Sequence, residues 1–93
     1  MALFLTGLVS DKQCSWPLEG SLLGIGRSSR HTIHISDGTV SKDHAEITSR
    51  SGQFYLRDLG SRNGTRVNGR EAKEPILLES GDQVEIGHVT LLR

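Results

Sequence analysis

Apolar residues in this chain recur at every second position in short bursts, and turn-forming residues separate the bursts. Ala2 to Val9 reads as a first strand, Ser10 to Ser15 as a turn or loop. Trp16-Pro17-Leu18 predicts a short extended piece, because Pro17 has no N–H to give a ladder and restricts Trp16 to extended geometry. Ser21 to Gly26 predicts a strand whose glycines let backbones pack closely or bulge. Ile33 and Ile35 share one face of a short segment with His34 on the other. From Asp43 to Ser49, Ala45 and Ile47 are in phase and alternate with His44 and Glu46, which is the strand period. Ser51-Gly52 signals a hairpin into Gln53 to Leu59. Asn63-Gly64 and Asn68-Gly69 are turn dipeptides bracketing a very short strand, Thr65-Arg66-Val67. Beyond Glu74-Pro75 come Ile76 to Leu78, Gln83 to Ile86 and Val89 to Leu92, separated by Ser80-Gly81-Asp82 and Gly87-His88.

No window holds an apolar stripe of helical period and length. Turn signals recur about every six to twelve residues, so the pattern predicts an all-β sandwich or barrel. Ninety-three residues make one domain at most, with one modest core. The 34% hydrophobic content and a mean hydropathy of −0.33 fit a folding domain rather than a disordered chain. No apolar run reaches the ~18–20 residues of a membrane helix, and Ala2 to Val9 lacks the basic flank of a signal peptide. The single cysteine, Cys14, excludes an intramolecular disulfide and a thiolate zinc cluster, and fits a reducing compartment. Its ordinary reading is a loop or strand-edge thiol.

Charge changes the picture more than composition does. The net charge is zero, yet residues 27–70 carry eight Lys/Arg against four acids, and residues 71–93 carry two against five. A local positive field on a neutral chain suits a small anionic ligand better than a nucleic-acid backbone. The bases lie among three polar clusters: Gly26-Arg27-Ser28-Ser29-Arg30, Thr39-Val40-Ser41-Lys42-Asp43-His44, and the run from Gly60 to Gly69. Arg27 ends an apolar strand, and a guanidinium fork matches two phosphate oxygens. Ser41 offers a hydroxyl donor and Lys42 a charge beside it. Ser41 and His44 together raise a nucleophile and base, but an orienting acid, an oxyanion hole and a Gly-x-Ser-x-Gly elbow are missing from the pattern. The structural reading of His44, hydrogen-bonded to loop backbone and fixing the Ser41 turn, outweighs the catalytic one. Asn63 can turn an amide, both donor and acceptor, toward an extended peptide. His31 and His34 face opposite ways and cannot share a metal. The glycines from Gly24 to Gly26 precede neither the Lys nor the helix of a P-loop.

In this order and at these spacings, Gly26-Arg27-Ser28, Val40-Ser41-Lys42-Asp43-His44-Ala45-Glu46-Ile47, Leu56-Arg57-Asp58-Leu59-Gly60-Ser61-Arg62-Asn63-Gly64-Thr65 and Val67-Asn68-Gly69 closely resemble the forkhead-associated (FHA) domain. Leu78 and the run from Gly81 to Gly87 resemble its C-terminal strands. The resemblance implies a β-sandwich of about eleven short, mostly antiparallel strands, with phosphothreonine-binding loops at one end. It implies that Arg27 and Ser41 hold the phosphate with Lys42 assisting, and that Asn63 grips the peptide backbone with Arg62 beside it. Gly26, His44 and Gly64 match positions of structural support. Thr39 and Arg30 fall in loops that choose flanking residues.

The expectation is therefore one domain over residues 1–93, cut from a longer protein: a phosphothreonine-peptide signalling module without catalysis, metal or cofactor. Its partner is a protein phosphorylated by a Ser/Thr kinase, not nucleic acid or membrane. The isolated domain is expected to be monomeric, and cytoplasmic or, in a eukaryote, nuclear. The alternative is a phospho-independent interaction or structural module that binds through a sheet face.

Overall fold

Alternation along the strands and the turns between them produce eleven strands in the computed structural model, which describes residues 3–93. They are β1 (Phe4–Val9), β2 (Lys12–Pro17), β3 (Leu22–Gly26), β4 (Ile33–His34), β5 (Ala45–Arg50), β6 (Gln53–Asp58), β7 (Thr65–Val67), β8 (Arg70–Glu71), β9 (Ile76–Leu77), β10 (Gln83–Ile86) and β11 (Val89–Leu92). One sheet runs β2-β1-β11-β10-β7-β8 and the other β4-β3-β5-β6-β9, so the chain is a sandwich and not a barrel. Every pairing is antiparallel except β3 with β4. The core is the inward row of the longer strands, joined by loop residues such as Ile35 and Val40. Leu5, Ile25, Ile33, Ile35, Ala45, Ile47, Leu56, Val84, Ile86 and Leu91 are all fully buried. Each large one contributes about 1.5–3 kcal/mol by leaving water.

The pattern mistook part of the N-terminal segment. The expected turn from Ser10 to Ser15 is only Ser10-Asp11, and Lys12–Pro17 is a strand paired with β1 along its whole length. Ser10 and Asp11 have φ of 51° and 65°, the backbone of a two-residue hairpin turn that usually announces itself as Asn-Gly. Cys14 and Trp16 are its half-buried, core-facing positions, which makes Cys14 a strand-edge thiol. Pro17 is tolerated because β2 is an edge strand. Ala2, placed by the pattern in the first strand, lies outside the described residues. The two-residue β8 has no apolar signal and was not foreseen.

Register decides where the loops emerge. Ile25 pairs with Ala45, and Ala45 with Asp58, so β3 ends, β5 begins and β6 ends in one row. In the other sheet Ile86 pairs with both Thr65 and Val89, which aligns the start of β7 with the β10–β11 turn. Residues 35–44, 59–64 and 87–88, and the start of the 27–32 loop, therefore lie at the same end.

Candidate functional site

The three polar clusters meet. Arg27, Gly38, Thr39, Val40, Ser41, Arg62 and Asn63 line one open cavity of about 90 Å³. The Arg27 and Ser41 loops are first stitched by backbone: Arg27 N–H donates to the Ser41 carbonyl (3.0 Å), Ser28 N–H to that of Lys42 (3.3 Å) and His44 N–H to that of Ile25 (2.9 Å). Gly26 is what permits this approach. A Cβ there would run into the Lys42 carbonyl and the His31 ring.

Arg27 is exposed but aimed. Its Nε donates to the Val40 carbonyl at 3.0 Å, and among the described residues neither terminal nitrogen of the fork has a partner. The Ser41 hydroxyl accepts the backbone N–H of Arg62 at 3.0 Å, so its own hydrogen remains for a ligand. Asn63 Nδ2 donates to the Thr39 carbonyl at 2.8 Å. One amide hydrogen is thus committed within the protein, and Oδ1 and the second hydrogen remain. Arg62 is exposed on the cavity wall. Lys42 is exposed beside Ser41 without lining the cavity. Among the described residues Arg27, Lys42 and Arg62 form no ion pair, so their charge is unspent.

His44 sits fully buried beneath the cavity. Its Nδ1 accepts the Ser41 N–H (3.0 Å) and its Nε2 lies 2.8 Å from the Gly64 carbonyl. An acceptor Nδ1 requires the proton on Nε2, which then donates to Gly64. The ring thereby ties the Ser41 turn to the Asn63-Gly64 turn. With Nδ1 spent on a backbone amide 3.0 Å away, it offers no base to the Ser41 hydroxyl. Gly64, at φ 83°, takes a backbone conformation that side chains disfavour.

Two further parts of the site went unread in the sequence. Asp58 is a hub: its carboxylate accepts the N–H groups of Gly60 and Ser61 and the hydroxyls of Ser61 and Thr65. Burial raises its pKa, but the Ser61 and Thr65 hydroxyls and the two amides together outweigh that and hold it below the ordinary carboxylate value. The available signal was the Asp-x-Gly-Ser spacing, the sequence of an Asx turn. The β10–β11 turn is the second. Gly87 N–H donates to the Gly64 carbonyl (3.0 Å) and His88 N–H to the Thr39 hydroxyl (3.0 Å), so a turn of the opposite sheet braces both binding loops.

Arg30 stays exposed while it pairs with Asp43, and Thr39 is half-buried. The Thr39 hydroxyl turns inward to Asp37, whose carboxyl is held low by that bond and by the Thr39 N–H. Arg30 and His31 both reach Asp43 Oδ1, His31 at 2.7 Å, and lower its pKa, His31 the more. On the far side of Arg62 and Asn63 lies a larger hollow of about 290 Å³, walled also by Arg66, Glu71 and Lys73. Among the described residues no three His, Cys, Asp or Glu side chains gather as metal ligands.

Comparison with known proteins places this arrangement. An oxoglutarate dehydrogenase inhibitor of Corynebacterium diphtheriae is 45% identical over 67 residues, which are 72% of this chain and 46% of that protein. The chain thus spans about half the length of such relatives. The FHA domain of a Chlamydia trachomatis protein superposes with a TM-score of 0.88 at 26% identity, covering 99% of this chain and 95% of that one. A chain solved in a study of phosphothreonine-dependent FHA domain interactions gives 0.82 at 28% identity, covering 97% and 94%. The model of the FHA domain matches residues 23–87, which contain Arg27, Ser41, His44, Arg62 and Asn63, and the chain belongs to the FHA domain family.

Proposed function

We propose that this domain binds phosphothreonine-containing segments of partner proteins and has no catalytic activity. The observation that carries this reading is the convergence of Arg27, Ser41, Arg62 and Asn63 on one small cavity with their outward donors free. The cavity is small and open to solvent, which suits a phosphoryl group held at the surface. A phosphorylated threonine brings about −1.5 to −2 charge and three acceptor oxygens. Arg27 supplies a fork, Ser41 a hydroxyl, Lys42 and Arg62 further charge. Asn63 meets the peptide backbone beside the phosphothreonine. Gly26, His44 and Gly64 hold these groups in place. The name of a relative as an inhibitor, and the phosphothreonine-dependent interactions studied for another FHA domain, agree with this reading. The segment acts as one domain of a longer cytoplasmic regulator.

The test is a titration of a randomised phosphothreonine peptide pool against its unphosphorylated twin. Binding confined to the phosphorylated pool and lost with Arg27→Ala is expected; equal binding of the two pools refutes the reading. A second reading has one observation behind it. Phe4, Leu8 and Leu92 are exposed around Thr6 on the outer face of the larger sheet. Phospho-independent docking there predicts a partner that maps to that face and ignores Arg27→Ala.

A further inference from the structure

Thr39 uses every polar group it has. Its N–H and its hydroxyl both donate to Asp37 Oδ1, the hydroxyl oxygen accepts His88 N–H at 3.0 Å, and its carbonyl accepts Asn63 Nδ2 at 2.8 Å. The carbonyl is also pressed from behind. Gly87, at φ 60°, packs so closely on it that a Cβ would strike the Thr39 oxygen. Thr39 is on the cavity wall, and so is Asn63. The residue is spent on holding its own carbonyl still, and that carbonyl has Asn63 as its side-chain partner.

We propose that Thr39 is a positioning residue for peptide recognition. Its hydroxyl, anchored to Asp37 and to the β10–β11 turn, fixes the carbonyl that orients the Asn63 amide. This rests on the functional reading above and adds a division of labour to it: Arg27 and Ser41 hold the phosphate, whereas Asn63 grips the peptide backbone only when Thr39 aims it. An amide tethered at one hydrogen has its orientation set before the peptide arrives. An untethered one must be immobilised on binding, at a cost that weakens affinity by about three- to tenfold.

The variants are Thr39→Val, which keeps the shape and removes the hydroxyl, and Thr39→Ser, which keeps the hydroxyl. The probes are a phosphothreonine peptide and the free amino acid O-phosphothreonine, which lacks the backbone for Asn63 to grip. Thr39→Val is expected to weaken the peptide about three- to tenfold and leave O-phosphothreonine unchanged, with Thr39→Ser close to wild type. In an Asn63→Ala background Thr39→Val is expected to cost nothing more. A general loosening of the fold would lower both probes together and would persist in that background. Should Thr39→Val melt too early, Asp37→Ala leaves Thr39 in place, removes its anchor and is expected to give the same split. A wild-type chain that ignores phosphorylation removes the underlying reading and this inference with it. A wild type that discriminates, combined with an indifferent Thr39→Val, or with an equal loss in the Asn63→Ala background, overturns the role of Thr39 alone.

Discussion

His44→Ala is expected to be the most damaging single truncation of the binding end, and the structure gives its size. The ring is fully buried and makes two hydrogen bonds between loops 20 residues apart. The two ends do not suffer equally. The Gly64 carbonyl keeps the Gly87 N–H at 3.0 Å, so losing Nε2 costs it only the net value of a bond, about 0.5–1.5 kcal/mol. The Ser41 N–H has no second acceptor among the described residues and becomes an orphaned donor, at about 1–3 kcal/mol. The vacated ring volume adds a cavity term. The total is roughly 3–5 kcal/mol, against the roughly 5–14 kcal/mol expected of a domain this size. At about 4–8 °C per kcal/mol, the melting temperature should fall by at least about 12 °C. Calorimetric melting reads that shift. Phosphopeptide titration well below the new midpoint should also show weakened binding, because the Ser41 and Asn63 turns lose their tie. His44→Phe separates the causes: it refills the space and leaves the donor orphaned, so it should recover less than half the loss. A drop under about 4 °C for His44→Ala, or a His44→Phe domain as stable as wild type, would refute the hydrogen-bonding account.

Three other outcomes follow from the same geometry. Asp37, Asp43 and Asp58 all have carboxyls held below their ordinary value of 3.8 in the folded state, so their stabilisation is complete above about pH 5 and is lost as pH falls through 3.8 toward the folded values. Acid unfolding followed by circular dichroism should begin in that window, and Asp58→Asn should flatten its slope while lowering stability at neutral pH by at least about 2 kcal/mol. Gly26→Ala should cost about 2–3 kcal/mol in urea denaturation, because its Cβ meets the Lys42 backbone, whereas Gly24→Ala meets only the movable His31 imidazole and should cost about 1 kcal/mol or less. Arg27→Lys keeps the charge and loses both the fork and the Nε bond to Val40, so phosphopeptide affinity should drop at least about tenfold by titration; an unchanged affinity would mean that charge alone suffices there.

How much of this was written locally in the chain divides along a physical line. Period-two segments with an inward apolar row could be read, because burial of one face leaves its mark on each strand separately. β10 and β11 therefore run from Gln83 to Ile86 and from Val89 to Leu92, as the pattern placed them. The first part of β2, Lys12 to Ser15, could not be read, because an edge strand needs little apolar alternation and its Ser10-Asp11 turn adopts left-handed backbone without glycine. β8 is two exposed residues held only by pairing with β7, and pairing leaves no mark on either strand. The binding end follows the same division. Arg27, Ser41 and Asn63 were visible as residue types in turns. What makes them one site is the register that aligns Ile25, Ala45 and Asp58, and that is a property of three strands together. The supports are less visible still. Asp58 and the Gly87-His88 turn act through bonds between loops, and a turn residue bonded across the sandwich looks in sequence like any other turn residue. Thr39 shows the consequence. The resemblance put it in a loop that chooses flanking residues, and its hydroxyl bonds reach Asp37 in that loop and His88 in the opposite sheet. The supports of this end, Thr39 among them, are thus recognisable from hydrogen bonds between loops and not from residue type.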